Sequence, residues 1–148
     1  EFLRFKRTNV SACLIMFDID HFKHVNDTYG HPAGDKVIQA VSATLKQNLR
    51  ETDIAGRYGG EEFAVLLINT SAEKALFFAE RLRKSIEALH VYYEEHDICF
   101  TVSLGIAQTH EQMTDASMWV KDSDNALYKA KESGRNKTCA APLPKLSV

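Results

Sequence analysis

The sequence lacks the positive charge that proteins use to bind nucleic acid through its phosphates. Its 148 residues contain 18 lysines and arginines against 20 aspartates and glutamates, which gives a formal net charge of −2. A protein that contacts a phosphate backbone normally has a basic excess or a basic stripe, and neither is visible here. The composition therefore argues against nucleic acid as a partner.

Long hydrophobic runs and a cysteine framework are also missing. No apolar run approaches the roughly 20 residues that cross a bilayer, and no secretory signal pattern opens the chain. Cys13, Cys99 and Cys139 are an odd set without metal-site spacing, and the first two lie in apolar runs where a thiol packs as a small hydrophobe. We expect a reduced, cytoplasmic domain, and a longer parent protein that is anchored to a membrane stays compatible with this.

The length favours one compact domain. Apolar residues make up 45% and charged residues 26%, as in an ordinary globular protein. The chain opens on Glu1, and Glu1–Arg7 reads as the end of a helix, so we interpret it as an N-terminally truncated piece of a longer protein. Residues 1–140 are predicted to form the domain, and residues 141–148 a loose C-terminal tail.

Apolar runs of strand length alternate with helical patterns. Cys13–Phe17, Phe63–Ile68 and Ile98–Val102 predict strands that are covered on both faces. This alternation predicts an α/β sandwich with helices packed over a mixed sheet. Apolar residues at helical spacing predict two long helices, and these residues are Ile38, Val41, Leu45 and Leu49 in the first and Ala75, Phe78, Leu82, Ile86 and Leu89 in the second.

Local signals predict where the helices begin and end. Pro32 suits a first helical turn, and Thr70 with Glu73 forms a capping box for the second long helix. A last helix is predicted over Ser117–Ser133, with a break near Asp122 and a stop at the glycine that follows.

A glycine pair, Gly59 and Gly60, separates Ile54–Arg57 from the strand that begins at Phe63. We predict a hairpin there, because both glycines can adopt positive φ.

Two acidic pairs lie at strand ends. Asp18 and Asp20 follow the first apolar run, and Glu61 and Glu62 occupy the hairpin. Either pair alone is explained more simply as a solvated loop. If the two strands are neighbours, however, four carboxylates converge and repel one another unless a cation or protons compensate. Such oxygen ligands select Mg²⁺ or Mn²⁺.

Several motifs resemble the GGDEF domains of bacterial diguanylate cyclases. Residues 18–31 read DIDHFKHVNDTYGH and residues 57–63 read RYGGEEF, which carries the GGEEF form of the signature. The resemblance spans roughly residues 12–137 and implies a mostly antiparallel sheet flanked by helices, similar to nucleotide cyclases and polymerase palms. Further matches follow in order, GD at 34–35, TVSLGIA at 101–107, ALYKAK at 126–131 and GRN at 134–136.

The resemblance implies a magnesium-dependent condensation of two GTP molecules into cyclic di-GMP and two pyrophosphates. Asp18 through its carboxylate, Ile19 through its carbonyl oxygen and Glu61 would bind Mg²⁺, with Mn²⁺ as a possible substitute. Glu61 is also the candidate for removing the proton of the attacking 3′-hydroxyl. Glu62 is either a further ligand or an aid to that deprotonation.

Five residues would bind the triphosphate. The backbone N–H groups of His21 and Phe22 open a short helix, and Lys23 adds a cation. Lys131 and Arg135 resemble the other phosphate contacts, and a basic helix end that balances the helix dipole is the alternative.

The same resemblance assigns a guanine site and an inhibitory product site. Asn26 and Asp35 would read guanine, with simple helix capping as the alternative. Arg50 and Asp53 match the RxxD site that binds cyclic di-GMP, and Arg81 resembles a secondary contact there. The alternative for Arg50 and Asp53 is that they are ordinary charged residues at a helix end, and the alternative for Arg81 is a solvated helix arginine.

A product built from two nucleotides implies a homodimer in which each domain supplies one GTP. An upstream sensory or dimerising segment usually brings family members together, and the usual opening Asp-x-Leu-Thr-Gly-Leu-x-Asn-Arg segment precedes the point where this sequence begins. Two alternatives stay open: a non-catalytic module that binds GTP or cyclic di-GMP, and another nucleotidyl enzyme such as a class III cyclase. A transition-metal site at His21 and His24 lacks an evident third ligand. Trp119 and Phe78 are predicted to lie in the core.

Overall fold

The computed structural model describes residues 1–145. The helix predicted at the N terminus is confirmed, and Pro32 lies in the first turn of its helix as predicted. In chain order the elements are α1 (Phe2–Thr8), β1 (Cys13–Ile19), α2 (Phe22–Tyr29), α3 (His31–Asn48), β2 (Ile54–Gly59), β3 (Glu62–Leu67), α4 (Ala72–Glu87), β4 (Val91–Tyr93), β5 (His96–Ile98), β6 (Val102–Gln108), α5 (Ala116–Glu132) and β7 (Thr138–Ala140).

The main sheet has five strands in the order β2-β3-β1-β6-β7. All neighbouring strands are antiparallel except β6 and β7, which are parallel. The predicted mixed, mostly antiparallel sheet flanked by helices is therefore confirmed. Strands β4 and β5 form a separate two-stranded hairpin, which the sequence analysis did not predict.

Helices cover both faces of the sheet. Alternate residues of β1, among them Ile15 and Phe17, pack in the main core with Val41 of α3 and Leu82 of α4. On the other face, Leu14 packs with a second cluster that contains Trp119 of α5. Phe78 and Trp119 are buried, which confirms both as core residues.

Helix α5 lies directly against β6, and this contact fixes the end of the helix that approaches the candidate site. A Cβ atom at Gly105 would lie 2.2 Å from the backbone nitrogen of Leu127 and 2.4 Å from the carbonyl oxygen of Ser123. The Ser123 hydroxyl also accepts a hydrogen bond from the Met16 N–H at 3.1 Å. Only glycine permits so close an approach. The helix is continuous from Ala116 to Glu132, so the predicted break near Asp122 is wrong. The polar Ser123 bonds to the neighbouring strands instead of interrupting the helix.

Two further local predictions are wrong. The run Ile98–Val102 is not a strand: β5 ends at Ile98, β6 begins at Val102, and the three residues between them connect the two. Phe100 in this connection is buried, since an apolar run predicts burial but not strand pairing. Cys99 is exposed rather than packed as a hydrophobe.

The cap of α4 is displaced by one residue. Ser71, not Thr70, is the N-cap, and its side chain accepts a hydrogen bond from the Lys74 N–H at 3.4 Å. The Thr70 hydroxyl instead donates to the Ile68 carbonyl at 2.8 Å. The predicted capping box is therefore wrong.

The C-terminal end of the described chain runs past β7. The Ala141 N–H donates to the Ile106 carbonyl at 2.7 Å. Residues 146–148 lie outside the described residues, so the loose tail over 141–148 stays a prediction. Among residues 1–145, no helix combines the length and the apolar character that crossing a membrane requires.

Candidate active site

Asp18 is the central residue of the site. It lies near the end of β1, between Glu62 of β3 and Ser103 of β6, and only 4% of its surface is exposed. Its Oδ2 atom forms an ion pair with Nζ of Lys131. Its Oδ1 atom is buried and has no hydrogen-bond partner among the residues that the structure describes. A buried carboxylate oxygen without a partner is costly, so this atom marks a position for a further cation.

The electrostatics of Asp18 agree with this. Burial raises the pKa of its carboxyl group, and the charges of Asp20 and Glu62 raise it further, while Lys131 lowers it. The pKa is raised on balance, so the positive charge of Lys131 does not fully offset the cost of burying the Asp18 carboxylate. The acidic groups that act on Asp18 are Asp20 and Glu62, and carboxylate oxygens are ligands of a hard divalent cation. The residues present therefore fit a site for a divalent metal ion.

Asp20, two residues further on, is fully bonded. Its Oδ1 accepts a hydrogen bond from the Ser103 hydroxyl at 2.7 Å. Its Oδ2 accepts from the Thr101 hydroxyl at 2.7 Å and from the Asn136 N–H at 3.0 Å. Asp20 thus joins the ends of β1 and β6 to the turn after α5. Neutral donors bond both of its oxygens, whereas Oδ1 of Asp18 has no hydrogen-bond partner among the described residues.

The glutamate hairpin lies beside Asp18, but its turn differs from the predicted one. Gly60 and Glu61 form the turn, and Glu62 begins β3 directly opposite Asp18. Neither Gly59 nor Gly60 has positive φ, so the reason predicted for the glycine pair is wrong. A Cβ atom at Gly60 would meet no atom within 4 Å. The glycines leave open space rather than permit a special turn.

The start of α2 follows the end of β1 at once. His21 is the N-cap residue, with φ of 55°, and its side chain makes no capping hydrogen bond. Phe22 and Lys23 form the first turn, where backbone N–H groups have no partner within the helix. His21 precedes the helix and His24 lies within it, so the two histidines do not share a helical face.

Two basic residues approach from the end of α5. Lys131 lies in the last helical turn and reaches Asp18. Arg135 follows in the turn, with φ of 63° and an exposed side chain, next to the Asn136 N–H that bonds Asp20. Lys131 is therefore engaged with the site and does more than balance the helix dipole.

Asn26 is the second residue with an unpaired buried oxygen. Its Oδ1 has no hydrogen-bond partner within residues 1–145. A Cβ atom on Gly34 would lie 1.9 Å from that oxygen, so the glycine makes room for the side chain. The exposed Asp35 follows Gly34 on α3. The N-caps of α2 and α3 are His21 and Gly30, so the capping explanation of Asn26 and Asp35 is wrong.

The RxxD residues bond each other on a different surface. The Asp53 side chain is 0% exposed and accepts from Nη2 of Arg50 at 2.9 Å. It also accepts from the Arg50 backbone N–H at 2.8 Å, and Arg50 bonds the Thr70 hydroxyl at 3.0 Å. The Arg50 side chain is still 56% exposed. Arg81 lies nearby and donates from Nε to Oδ1 of Asn48 at 3.0 Å.

Sequence reasoning found Asp18, the hairpin and Lys131, but it missed the roles of Asp20 and Gly34. The Gly34-Asp35 pair was visible in the sequence as a motif, whereas the need for a glycine depends on the packing of α2 against α3. The hydroxyls of Thr101 and Ser103 lie in a matched motif, and only the sheet register shows that both face Asp20.

Comparison with known proteins identifies the family. The family described as "Diguanylate cyclase, GGDEF domain" matches residues 1–137. This chain belongs to the GGDEF domain family. Diguanylate cyclase A of Treponema denticola is 45% identical over 134 residues, which cover 89% of this GGDEF domain and 36% of that protein. The probable diguanylate cyclase DgcC of Escherichia coli is 41% identical over 138 residues, 93% of this chain and 37% of that one.

Solved GGDEF domains share the fold. The GGDEF domain of DgcB from Caulobacter crescentus, solved in complex with c-di-GMP, matches with a TM-score of 0.90 and 32% identity over 94% of this chain and 82% of that one. The active GGEEF domain of a diguanylate cyclase from Vibrio cholerae matches with a TM-score of 0.89 and 33% identity, over 97% and 90%. The chain spans little more than a third of the curated relatives. The family and the names of these relatives support diguanylate cyclase activity.

Proposed function

We propose that this GGDEF domain condenses two GTP molecules into cyclic di-GMP and two pyrophosphates, with Mg²⁺ as the metal. The observation that carries the proposal is the buried, unpaired Oδ1 of Asp18, which lies opposite Glu62 and beside Lys131. A module that bound only cyclic di-GMP would not use a buried carboxylate that lacks a partner, whereas a site for a metal–triphosphate complex would.

The metal would be held by the Asp18 carboxylate, the Ile19 carbonyl oxygen and Glu61. When bound, Mg²⁺ would neutralise triphosphate charge and so favour attack at the α-phosphorus. Glu62 lies opposite Asp18 in the sheet and influences its pKa, which supports Glu62 as a neighbour of the ion or a further ligand. Mn²⁺ binding to Glu61→Ala and Glu62→Ala tests the role of Glu62: loss of affinity in Glu61→Ala alone would make Glu62 a neighbour of the ion, and loss in both variants would make it a further ligand.

The remaining residues bind and orient GTP. Backbone N–H groups of His21 and Phe22, with Lys23, receive phosphate oxygens at the start of α2. Lys131, which pairs with Asp18, would move from this carboxylate to the triphosphate, and Arg135 would add a second cation. Glu61 or Glu62 accepts the proton of the 3′-hydroxyl.

Guanine would be read by Asn26 and Asp35. An ionised carboxylate accepts from N1–H and the 2-amino group together, and the unpaired Asn26 oxygen offers a further acceptor. Adenine has an acceptor at N1 and no 2-amino group, so ATP leaves these oxygens unpaired. We therefore expect strong selection for GTP.

Turnover would need two copies of the domain. Each 3′-hydroxyl must reach the α-phosphate of the other GTP, so two domains face each other with two-fold symmetry. An upstream sensory or dimerising segment of the full-length protein would promote this encounter.

The product would inhibit at a separate surface. The buried Asp53 carboxylate orients the guanidinium of Arg50, which remains exposed and able to bind a guanine or a phosphate. Arg81 would supply a second contact. In this arrangement Asp53 acts by holding Arg50 in place.

The test is incubation of the purified domain with GTP and Mg²⁺ at low and high protein concentration, with Glu61→Ala alongside. We expect cyclic di-GMP to increase steeply with protein concentration and to be absent with the variant. If GTP binds but a coiled-coil fusion that forces dimers still yields no product, the domain is a binding module. A different nucleotide product would point to another nucleotidyl enzyme.

A further inference from the structure

The β4–β5 hairpin gathers three metal-binding side chains on its outer face. Val91 pairs with Ile98, and both side chains are buried in the core. Because side chains alternate along a strand, the flanking His90 and Cys99 point the other way, together with Asp97. All three are exposed. The register of the hairpin therefore places an imidazole, a carboxylate and a thiol side by side.

The ligand atoms of these residues have the spacing of a tetrahedral metal site. Nδ1 of His90 lies 3.0 Å from Oδ1 of Asp97 and 3.5 Å from Sγ of Cys99, and Sγ lies 3.9 Å from the same Oδ1. Zinc bonds of about 2.0 Å to nitrogen and oxygen and about 2.3 Å to sulfur, at tetrahedral angles, separate ligand atoms by roughly 3.3–3.6 Å. The existing distances differ from these by only a few tenths of an ångström.

We infer that His90, Asp97 and Cys99 bind Zn²⁺ or a similar borderline transition-metal ion. Thiolate and imidazole favour such ions over Mg²⁺, which prefers oxygen ligands only. Three protein ligands leave the fourth tetrahedral position to water or a small molecule. The set shares no residue with the oxygen-ligand site at Asp18, so the inference is independent of the proposed cyclase activity.

The metal must compete with the contacts that the three residues make with one another. Desolvation and the neighbouring Asp97 raise the pKa of the Cys99 thiol, so binding displaces a proton from sulfur. The ion would in turn replace the hydrogen bond between His90 and Asp97. Tyr92, whose ring stacks on His90 with centroids 6.3 Å apart, would keep the imidazole oriented.

The site adjoins the candidate active site through the chain. Cys99 is two residues before Thr101, whose hydroxyl bonds Asp20. The ion would thus be bound by the segment between β5 and β6, residues 99–101, which contacts Asp20 at the end of β1.

The test is calorimetric titration of the reduced domain with Zn²⁺ in excess Mg²⁺, together with Co²⁺ titration monitored by thiolate charge-transfer absorption. We expect one equivalent to bind, with affinity lowered at least about tenfold in Cys99→Ser and in His90→Gln. Cys139→Ser and His31→Gln are the matched controls and should bind as the unmodified domain does. Circular dichroism establishes that each variant is folded.

Two results would overturn the inference. One is the absence of a stoichiometric zinc site in the folded, unmodified domain. The other is equal loss of zinc binding in Cys99→Ser and Cys139→Ser, which would indicate nonspecific binding by surface thiols.

Discussion

The two aspartates at the end of β1 are buried to nearly the same degree, 4% and 5% exposed, yet their surroundings are opposite. Asp20 receives three hydrogen bonds from neutral donors: Thr101 just before β6, Ser103 on β6, and the Asn136 N–H in the turn after α5. Asp18 has one ion pair, to Lys131, and one oxygen with no partner among residues 1–145.

This difference separates a structural carboxylate from one kept available for a ligand. Neutral donors fix Asp20 in place and stabilise the junction of three elements. Asp18 is held at the centre of the sheet, where its burial is unfavourable until a cation binds. A functional site often lowers the stability of the free protein in this way.

The largest expected effect is on turnover, from Asp18→Asn. The amide keeps the shape but removes the charge that binds the metal, so cyclic di-GMP formation should fall on the order of 10³-fold or more. The thermal midpoint at neutral pH without metal should stay the same or rise, because a buried charge is removed. Product chromatography and thermal melts provide the two readouts. Turnover close to that of the unmodified domain would refute this assignment of Asp18.

The next effect is on stability, from Asp20→Ala. One buried donor, Ser103, and two partly buried donors lose their acceptor, so the free energy of unfolding should decrease by about 2–4 kcal/mol. Asp20→Asn retains an acceptor oxygen and should cost less, which makes it the matched control. Urea unfolding monitored by circular dichroism measures both. If Asp20→Ala unfolds at the same urea concentration as the unmodified domain, Asp20 does not stabilise the fold and its assigned structural role is wrong.

A smaller effect is expected at the other unpaired oxygen. In Gly34→Ala the new methyl group displaces Asn26, because it would lie 1.9 Å from Oδ1. The KM for GTP should rise about tenfold, and kcat should change less. Stability should change little, since the displaced atom is the end of a side chain. Steady-state kinetics test this, and an unchanged KM would separate Asn26 from guanine binding.

The smallest effect is a pH dependence of stability. Burial raises the pKa of Asp18 above its ordinary value, so between those two values the folded state binds more protons than the unfolded state. Without metal, Asp18 should therefore reduce stability as the pH rises through that interval. The difference between the unfolding free energies of Asp18→Asn and the unmodified domain should increase with pH there. A flat difference would show that burial does not penalise the charged form.

The sequence predicted the parts of this site that motifs specify. Asp18 and Lys131 were identified from matched residues, and the structure joins them by an ion pair. Helices α3 and α4 were predicted because their apolar residues, which are largely buried, repeat with helical spacing.

The remaining features depend on contacts distant in sequence. The sequence grouped Asp20 with Asp18 as one acidic pair. It could not show that Asp20 is bonded differently, because its donors Thr101 and Ser103 are more than 80 residues away. The run Ile98–Val102 reads as a strand, yet Phe100 is buried without pairing. The glycines of the hairpin were correctly linked to a turn, but the backbone there does not require glycine.

The most direct test of the contrast between the two aspartates is Mn²⁺ binding in the presence of a GTP analogue that cannot be cleaved at the α-phosphate. Electron paramagnetic resonance counts bound ions in the unmodified domain, in Asp18→Asn and in Asp20→Asn, at a temperature where all are folded. We predict that Asp18→Asn loses the bound ions and that Asp20→Asn retains them. Retention in Asp18→Asn, or equal loss in both variants, would contradict the account.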